Sequence, residues 1–422
     1  MRNPEYFIDK KVTVVGLARS GVACANLLYT LGARVRVSDH ADTPAVRNAA
    51  ARLSSKDIEV ERGGHDEQRI KGSELLVLSP GVPAQSKPVR WAAEAGIPVL
   101  SEIEIGWMLC PATVIAVTGS TGKSTVATLI GRVLEASGRR AFVCGNIGTP
   151  FCAEVARMEE GDFVSLEVSS FQLECIRTFT PKIALILNIS RNHLDRHRDM
   201  QEYVQAKARI FMNQGPEDFL VLNAHEELLK GLDRGPRSRV VFFSESDRYN
   251  PNQAAVVEVA LLLGIEEALC RKVFAEFKGL PHRAEFVDEI QGVRFINDSK
   301  ATVAESAAWA IRNIPSRLVL IAGGRDKGVD YRMILEAARA KVKEVVLIGE
   351  ARGLIRQALE KDLPVSDAAT LEDAVRRAFA LASPGEYVLL SPMCSSFDMF
   401  RDYEHRGESF RQAVSALKRS VR

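Results

Sequence analysis

The chain has 422 residues, of which 46% are hydrophobic and 26% charged, and its formal net charge is +2. This length exceeds one ordinary core and predicts two or three domains of a soluble globular protein. A charge so close to zero argues against nucleic acid as the main partner. No stretch has the length and apolarity of a secretion signal or a membrane span. The seven cysteines include no C-x-x-C pair, which favours reduced thiols and a cytoplasmic location.

The first segment has the pattern of a β-α-β unit. In "KVTVVGLARSGVACANLLYTLGARVRVSD" a β-branched run leads into a glycine turn, a helical pattern and a second strand that ends at Asp39. The turn at residues 16–21 is similar to the dinucleotide fingerprint, but Ala18 replaces its middle glycine. The helix N-terminus, with Arg19 and Ser20, predicts a site for a diphosphate-bearing ligand that need not be NAD. A turn that only packs helix against strand is the alternative.

A strand, a glycine-rich loop and a helix are predicted in "IAVTGSTGKSTVATLIGRVLEASG", which starts at Ile115. Backbone N–H groups of such a loop, together with the helix N-terminus, bind phosphate. Lys123 is expected to neutralise the β- and γ-phosphates, and the hydroxyl of Ser124 or Thr125 to bind Mg²⁺. Val117 stands where the standard motif has its first glycine, so the loop is a variant. The predicted phosphate site consists of Gly119, Ser120, Thr121, Gly122, Lys123, Ser124 and Thr125.

Polar residues follow two predicted strands of the middle segment. Glu167 follows "FVSLEV" and His193 follows "IALILNIS", so both are expected at the sheet edge that carries the phosphate loop. A carboxylate there predicts an Mg²⁺ ligand, with a strand-end salt bridge as the alternative for Glu167. His193 taken alone is equally well explained as a hydrogen-bonded loop residue. Lys207, judged from its helical surroundings alone, has the pattern of a solvated lysine.

Strands and helices alternate along the whole chain, which predicts an α/β fold of parallel sheets covered by helices. The pattern breaks near Pro111 and at the Gly-Leu-Pro turn before residue 282. We therefore predict three domains, residues 1–110, 111–281 and 282–422. The first and third are expected to be Rossmann-like, and the central parallel sheet carries the phosphate loop.

Nine stretches together resemble the Mur ligase family, in the order in which that family has them. The resemblance covers essentially the whole chain, and it rests on "TGSTGKST", "GNIG", "LEVSSFQLE", "NISRNHLDRH", "AKARI", "LPHRAE", "NDSKAT", "GGRDKG" and "SPMCSSFDMFRDYEHRG".

The resemblance implies an ATP-dependent carboxylate-amine ligase, most like the members that add D-glutamate to UDP-N-acetylmuramoyl-L-alanine. Such an enzyme acts in peptidoglycan precursor synthesis, and thus in cell-wall biogenesis, cell shape and cell division. The implied cofactors are ATP and two Mg²⁺ ions, one of them bridged by a carbamylated Lys207. The implied partners are the UDP-sugar and D-glutamate, with no nucleic acid and no membrane insertion, and we expect a monomer.

The family also implies roles for individual residues of this chain. Lys123, His193 and Lys207 would be catalytic, and Ser124, Glu167, His193 and Lys207 would hold metal. Outside the phosphate loop, Asn250, Arg283 and Asp298 would contact ATP. The UDP-substrate residues would be Arg19, Ser20, Asp39, Ser79, Pro80, Gly81, Asn146 and Gln172. The D-glutamate residues would be Thr302, Lys327, Ser396, Phe397 and Tyr403.

Three positions depart from the family pattern. Gln253 stands where a second asparagine is frequent, and Val303 follows "NDSKAT" where asparagine is usual. His40 and Ala41 follow Asp39 where threonine and arginine occur in some members, which leaves the uridine contacts open. A related ligase with another acceptor (diaminopimelate, L-alanine or a folate-type polyglutamate) and a non-catalytic nucleotide sensor are the alternative functions.

Overall fold

The computed structural model describes residues 1–189, 199–232, 235 and 237–421. The chain divides into two compact units, Met1–Phe277 and Lys278–Arg422. Short 3₁₀ helices supplement the elements below, at Pro4–Phe7, Val155–Arg157, Arg209–Phe211, Glu227–Leu229 and Tyr331–Ile334. Among the described residues, no helix is both long and apolar enough to cross a membrane.

The first sheet is formed by strands that alternate with helices along residues 11–109. All its neighbouring strands are parallel. The elements are β1 (Lys11–Val15), α1 (Arg19–Thr30), β2 (Arg34–Asp39), α2 (Pro44–Ala50), β3 (Glu59–Arg62), α3 (Glu67–Lys71), β4 (Leu75–Leu78), α4 (Lys87–Glu94), β5 (Val99–Ser101) and α5 (Glu102–Leu109). The strand order is β3-β2-β1-β4-β5. Strands β2 and β3 lie on one side of β1, and β4 and β5 lie on the other, which leaves a crevice at the carboxyl ends beside β1.

The second sheet belongs to the same unit and is also parallel. Its elements are β6 (Thr113–Thr118), α6 (Lys123–Ala136), β7 (Ala141–Gly145), α7 (Phe151–Glu154), β8 (Phe163–Glu167), α8 (Ser170–Glu174), β9 (Ile183–Ile186), α9 (Met200–Ala208), β10 (Phe219–Asn223), β11 (Arg239–Phe243), α10 (Pro251–Leu262) and α11 (Glu267–Glu276). The order β11-β10-β9-β6-β8-β7 places β6, which leads into the phosphate loop, at the centre.

The second unit holds the third sheet. Its elements are β12 (Glu285–Ile290), β13 (Val293–Asn297), α12 (Ala304–Asn313), β14 (Leu318–Gly323), α13 (Leu335–Lys341), β15 (Val342–Ile348), α14 (Arg352–Leu359), β16 (Val365–Asp367), α15 (Leu371–Leu381), β17 (Tyr387–Leu390) and α16 (Tyr403–Ser420). The order is β12-β13-β17-β14-β15-β16, with β12 antiparallel to its neighbour and the others parallel. The exception at β12 follows from the two-residue hairpin at Gln291 and Gly292, both of which have positive φ.

The hydrophobic cores follow from the strand pattern. Parallel strands buried on both faces need continuous apolar runs, and β4, β9, β14 and β17 are buried at every position. One core cluster runs from Phe7 in the first segment to Leu229 in the central segment. The second unit has clusters of its own, on the two faces of its sheet. The predicted α/β class is confirmed, while the domain boundaries predicted after residues 110 and 281 stay a prediction.

Candidate functional site

The carboxyl ends of the central strands place the phosphate loop and Glu167 at one edge of the sheet. Val117 of β6 pairs with Glu167 of β8, and Glu167 pairs with Gly145 of β7. The loop after β6, the end of β8 and Asn146 after β7 therefore lie side by side. This is the arrangement expected from the order of strands and polar residues in the sequence.

The phosphate loop turns its backbone N–H groups toward a single acceptor. The amides of Ser120 and Thr121 both donate to Oδ1 of Asn188, at 3.0 and 2.9 Å. Gly122 precedes α6 with φ +80°, a left-handed conformation that glycine adopts at little cost. The Lys123 ammonium donates to the carbonyls of Gly119 and Ser120, at 2.9 and 3.1 Å. Converging amides, a helix N-terminus and an ammonium group are what a bound phosphate requires.

Two buried oxygen-bearing side chains at this edge fit a divalent cation. The hydroxyl-bearing Ser124 is fully buried in the first turn of α6. Glu167 is 2% exposed, and its Oε1 accepts a hydrogen bond of 2.8 Å from the Asn146 side chain. Its Oε2 is buried with no hydrogen-bond partner among the described residues. An unpartnered buried carboxylate oxygen is costly unless a cation or a proton compensates it, so this donor set is suited to Mg²⁺.

Lys207 lies inside the site, which overturns the solvated helix lysine indicated by its surroundings in the sequence. Its side chain is 1% exposed, and its ammonium donates to the carbonyl of Gly119 at 2.9 Å. Burial, with the nearby Lys123 charge added, lowers the pKa of this lysine well below its usual range. The helical pattern missed the burial because α9 packs its Lys207 face against the phosphate loop, a tertiary contact.

Two other predicted residues have different outcomes. His193 lies outside the described residues. Asn250 is described, and it caps the N-terminus of α10: its Oδ1 accepts from the amide of Gln253 at 3.1 Å, and the Gln253 side chain accepts from the Asn250 amide at 3.2 Å. Each side-chain oxygen thus accepts from the backbone amide of the other residue, which is a capping box. The neighbouring Asn252 instead reaches the phosphate loop, with Oδ1 2.3 Å from where a Cβ on Gly122 would lie.

A cavity of about 840 Å³ opens at the carboxyl ends of the first sheet and extends to the central segment. Ser79 donates to the carbonyl of Gly16 at 2.7 Å, which ties the end of β4 to the glycine turn after β1. Arg19 donates to the carbonyl of Gly148, across the cavity. The eight residues predicted for the UDP-substrate site all line this cavity, namely Arg19, Ser20, Asp39, Ser79, Pro80, Gly81, Asn146 and Gln172.

The same cavity has wall residues that the sequence patterns did not single out. His65 lies in the loop after β3, and Lys87 begins α4. The position of His65 just beyond the carboxyl end of a parallel strand was an available signal, but β3 is short and mostly exposed and gives a weak strand pattern.

In the second unit, Asp298 and Arg283 lie at the carboxyl edge of the third sheet. Asp298 is 8% exposed; its carboxylate accepts from Ser391 at 2.9 Å and from the amide of Ala284 at 3.1 Å. The amide bond links Asp298 to the turn that carries Arg283. Burial raises the pKa of Asp298 to about 7. On either side of Arg283, His282 and Ala284 have positive φ, so the contacts of this turn hold it in a strained conformation.

The residues predicted for D-glutamate are carried by loops at the same edge of this unit. Arg325 and Ser395 form reciprocal backbone hydrogen bonds of 2.9 and 3.1 Å, which join the Lys327 loop to the Ser396 loop. Ser396 is buried, whereas Phe397 is 63% exposed. Tyr403 begins α16, and its carbonyl accepts from Ser299 in the loop that leads to Thr302. The loops therefore form one connected group.

Arg406 connects these loops, and the sequence motifs did not identify it. This fully buried guanidinium donates to Oγ and the carbonyl of Ser299 at 3.0 and 2.8 Å, and to the carbonyl of Cys394 at 3.1 Å. Burial lowers its pKa to about 10. A buried arginine with polar partners fixes loop positions, because losing one partner would leave a desolvated charge unpaired.

The chain matches three family models in succession. The MurD-like N-terminal domain of Mur ligases matches residues 10–101, the Mur ligase middle domain 117–261, and the glutamate ligase domain of Mur ligases 282–394. The UDP-N-acetylmuramoylalanine–D-glutamate ligase of Pelotomaculum thermopropionicum is 39% identical and covers 98% of this chain and 99% of the relative. The enzyme of the same name from Pelobacter propionicus is 41% identical and covers 97% and 99%.

Solved structures of low sequence identity share the fold. The UDP-N-acetylmuramate-alanine ligase of Thermotoga maritima has a TM-score of 0.61 at 17% identity, covering 97% of this chain and all of that one. A pseudomurein peptide ligase of Methanothermus fervidus has a TM-score of 0.58 at 17% identity, with the same coverage. At this identity the likeness concerns the fold alone.

Proposed function

This chain belongs to the Mur ligase family, and from that premise we infer that it is an ATP-dependent ligase that joins D-glutamate to UDP-N-acetylmuramoyl-L-alanine in peptidoglycan precursor synthesis. The observation that carries this function is the similarity of about 40% identity to ligases of that name over nearly the whole chain. The connected phosphate loop, acidic side chain and buried lysine of the central sheet support it. We also propose a cytoplasmic location, where ATP and UDP-sugars are supplied, and a monomer remains our prediction.

The chemistry begins with activation of a carboxylate. An oxygen of the substrate carboxylate attacks the γ-phosphorus of ATP and the bond to ADP breaks, which gives an acyl phosphate. Two anions meet in this step, so charge compensation controls its rate. The loop amides and the Lys123 ammonium would bind the phosphates at the position where negative charge shifts toward ADP. The amine of D-glutamate then attacks the acyl carbon, and phosphate leaves as the amide forms.

Mg²⁺ fits this site through Ser124 and Oε2 of Glu167, which has no hydrogen-bond partner in the part of the chain that the structure describes. When bound, it would offset the charge of the β- and γ-phosphates. The second ion is part of the same proposal, with a carbamylated Lys207 and His193 as ligands. Burial favours the neutral amine of Lys207, which is the form that adds to CO₂ and releases a proton to become a carbamate.

For the substrates, we propose that the 840 Å³ cavity binds the UDP-sugar and that the loops of the second unit bind D-glutamate. The diphosphate would lie at the N-terminus of α1, near Arg19 and Ser20. Lys327 would pair with a carboxylate of D-glutamate, beside Thr302, Ser396, the main chain of Phe397, and Tyr403. Arg283 and Asp298 would contact ATP. Asn250 would contact ATP through its side-chain NH₂, because its Oδ1 caps α10 and its main-chain N–H and carbonyl bond to Gln253 and Ala254.

The test is phosphate release from ATP and Mg²⁺ in the presence of UDP-N-acetylmuramoyl-L-alanine, with D-glutamate, L-glutamate, L-alanine and diaminopimelate as separate acceptors. Turnover with D-glutamate alone is expected. Turnover with a different acceptor would keep the ligase chemistry and reject the assigned D-glutamate residues. Folded protein that turns over none of them would favour a nucleotide sensor.

A further inference from the structure

The cavity proposed for the UDP-sugar has two ends of different chemistry. Asn146 and Gln172, from the central segment, line one end, and His40 and His65, beyond the carboxyl ends of β2 and β3, line the other. The glycine turn at the N-terminus of α1 lies along the cavity wall, where a diphosphate would bind. The carboxylate of the substrate must reach the phosphate loop, at the end that Asn146 lines. The nucleoside must therefore extend toward His40 and His65.

His65 is held by a hydrogen-bond network beneath the cavity. Its Nδ1 lies 2.7 Å from Oγ of Ser38, a residue of β2 that is fully buried. The same Oγ lies 2.8 Å from a carboxylate oxygen of Glu61 on β3. With Nδ1 directed at the buried serine, Nε2 is the polar ring atom left for a ligand in the cavity. It has no hydrogen-bond partner among the described residues.

The network determines which ring nitrogen carries the proton. A serine hydroxyl has one hydrogen, and an ionised carboxylate can only accept, so Ser38 donates to Glu61. The short contact between Ser38 and His65 is then a hydrogen bond only if Nδ1–H of His65 is the donor. Burial also lowers the pKa of His65 and favours its neutral form. Neutral His65 with its proton on Nδ1 presents a lone pair on Nε2, which makes it an acceptor.

Asp39, the residue that the sequence patterns suggested for this region, already has a hydrogen-bond donor at each carboxylate oxygen. One of its carboxylate oxygens accepts from the amide of Leu17 at 2.7 Å, and the other from the amide of Ala41 at 2.9 Å. Asp39 therefore holds the glycine turn and the loop after β2 in place. His40, on the same wall, has a side chain that is 85% exposed. His65 is the anchored acceptor at this end.

We propose that His65 selects the uracil base, by accepting at its Nε2 a hydrogen bond from N3–H of uracil. This inference rests on the proposed binding of the UDP-sugar in the cavity. Uracil carries a donor at N3, whereas cytosine carries an acceptor there, so a cytosine base would set two lone pairs against each other. A site built to hydrogen-bond one group rejects an analogue that lacks it, because the site's own polar group is left unpaired. His65 is thus a specificity residue for the base.

The test measures dissociation constants of UDP, CDP and N3-methyl-UDP by calorimetry on the full chain. The wild-type protein should bind UDP about 10- to 100-fold more tightly than either analogue. His65→Ala should bring the three constants within a few-fold of one another, mainly by weakening UDP. Ser38→Ala, which leaves the ring but removes the group that sets its tautomer, should reduce the discrimination in the same direction. His225→Ala, an exposed histidine of the central segment, is the matched control and should keep the wild-type ratios.

An unchanged preference for UDP in a folded His65→Ala protein would overturn the proposal. If that variant does not fold, the ratios of Ser38→Ala decide, and wild-type ratios there would overturn it. Wild-type protein that binds none of the three nucleotides would instead contradict the proposed function of the cavity. The two failures are therefore distinguishable.

Discussion

At the scale of single residues, burial separates Lys207 from the other lysines of the site. Its 1% exposure and its hydrogen bond to the Gly119 carbonyl place it beneath the phosphate loop. A permanently charged ammonium with so little solvent would be costly, and a carbamate in its place would be an anion beside the Lys123 cation. The burial thus supports a chemical modification that local sequence does not suggest.

Lys207→Ala is expected to abolish ligase turnover, because the variant lacks the amine that forms the carbamate. A short carboxylic acid such as acetate, added in excess, should restore part of the activity by supplying the missing carboxylate. Turnover is measured with saturating substrates at several acetate concentrations, and Lys230→Ala, an exposed lysine, serves as the control. Full activity of Lys207→Ala without acetate would exclude the carbamate.

Glu102 is a second buried ionisable residue, and it acts on stability. Its Oε1 accepts from the amide of Cys152 at 2.7 Å, but its Oε2 is buried without a hydrogen-bond partner among the described residues. Burial raises its pKa to about 7. In the unfolded chain the pKa is near 4.5, so above that pH the unfolded state binds fewer protons than the folded state.

The contribution of Glu102 to stability should therefore be complete below pH 4.5 and disappear as the pH rises to about 7. Glu102→Gln keeps the acceptor and cannot ionise. The difference in unfolding free energy between this variant and wild type should therefore grow in favour of the variant by about 2 to 3 kcal/mol from pH 5 to pH 8. Urea unfolding at both values measures the difference, with Glu160→Gln, an exposed carboxylate, as control. Equal wild-type and Glu102→Gln profiles would show that Glu102 has an ordinary pKa.

At the scale of elements, the glycines that flank α6 differ in what surrounds them. Gly122 and Gly138 have φ of +80° and +81°. A Cβ on Gly122 would lie 2.3 Å from Oδ1 of Asn252, whereas one on Gly138 would meet nothing within 4 Å. Both positions favour glycine for backbone reasons, but only Gly122 is also crowded, at the loop proposed to bind phosphate.

Gly138→Ala should cost about 1 kcal/mol of stability from the left-handed backbone and leave the KM for ATP unchanged. Gly122→Ala should show the same backbone cost and also raise the KM for ATP at least about tenfold, because the added methyl group displaces the Asn252 side chain or the loop at the position proposed for phosphate. Denaturant unfolding and steady-state kinetics of the two variants measure the two effects. An unchanged KM in Gly122→Ala would indicate that the nucleotide does not use this loop.

Local sequence patterns predict some structural elements of this chain well and others poorly. Strands, glycine turns and helix starts were predictable wherever a β-branched run met a loop, and the register of β6 with β8 then placed Glu167 beside the phosphate loop. The loop-joining role of Arg406 was not predictable, because it depends on which neighbours tertiary packing brings to the side chain, and local pattern carries no such information. The capping box of Asn250 and Gln253 is different, because it joins residues three apart at the start of a helical run and is a local pattern.

In the molecule as a whole, one hydrophobic core extends across the predicted boundary between the first and central domains. One apolar cluster joins the first and central segments, from Phe7 to Leu229, and both belong to the compact unit Met1–Phe277. A boundary at residue 110 was predicted from a break in pattern near Pro111. Buried Cys110 and Ala112 belong to that shared cluster, so the local break lies within a continuous core.

The proposed ligase activates the substrate carboxylate as an acyl phosphate. The most direct measurement labels that carboxylate of UDP-N-acetylmuramoyl-L-alanine with ¹⁸O and follows the label into inorganic phosphate by mass spectrometry. The mechanism predicts that each phosphate released with D-glutamate carries one oxygen from the carboxylate, because this oxygen leaves with phosphorus when the amide forms. Unlabelled phosphate during amide formation would exclude the acyl phosphate.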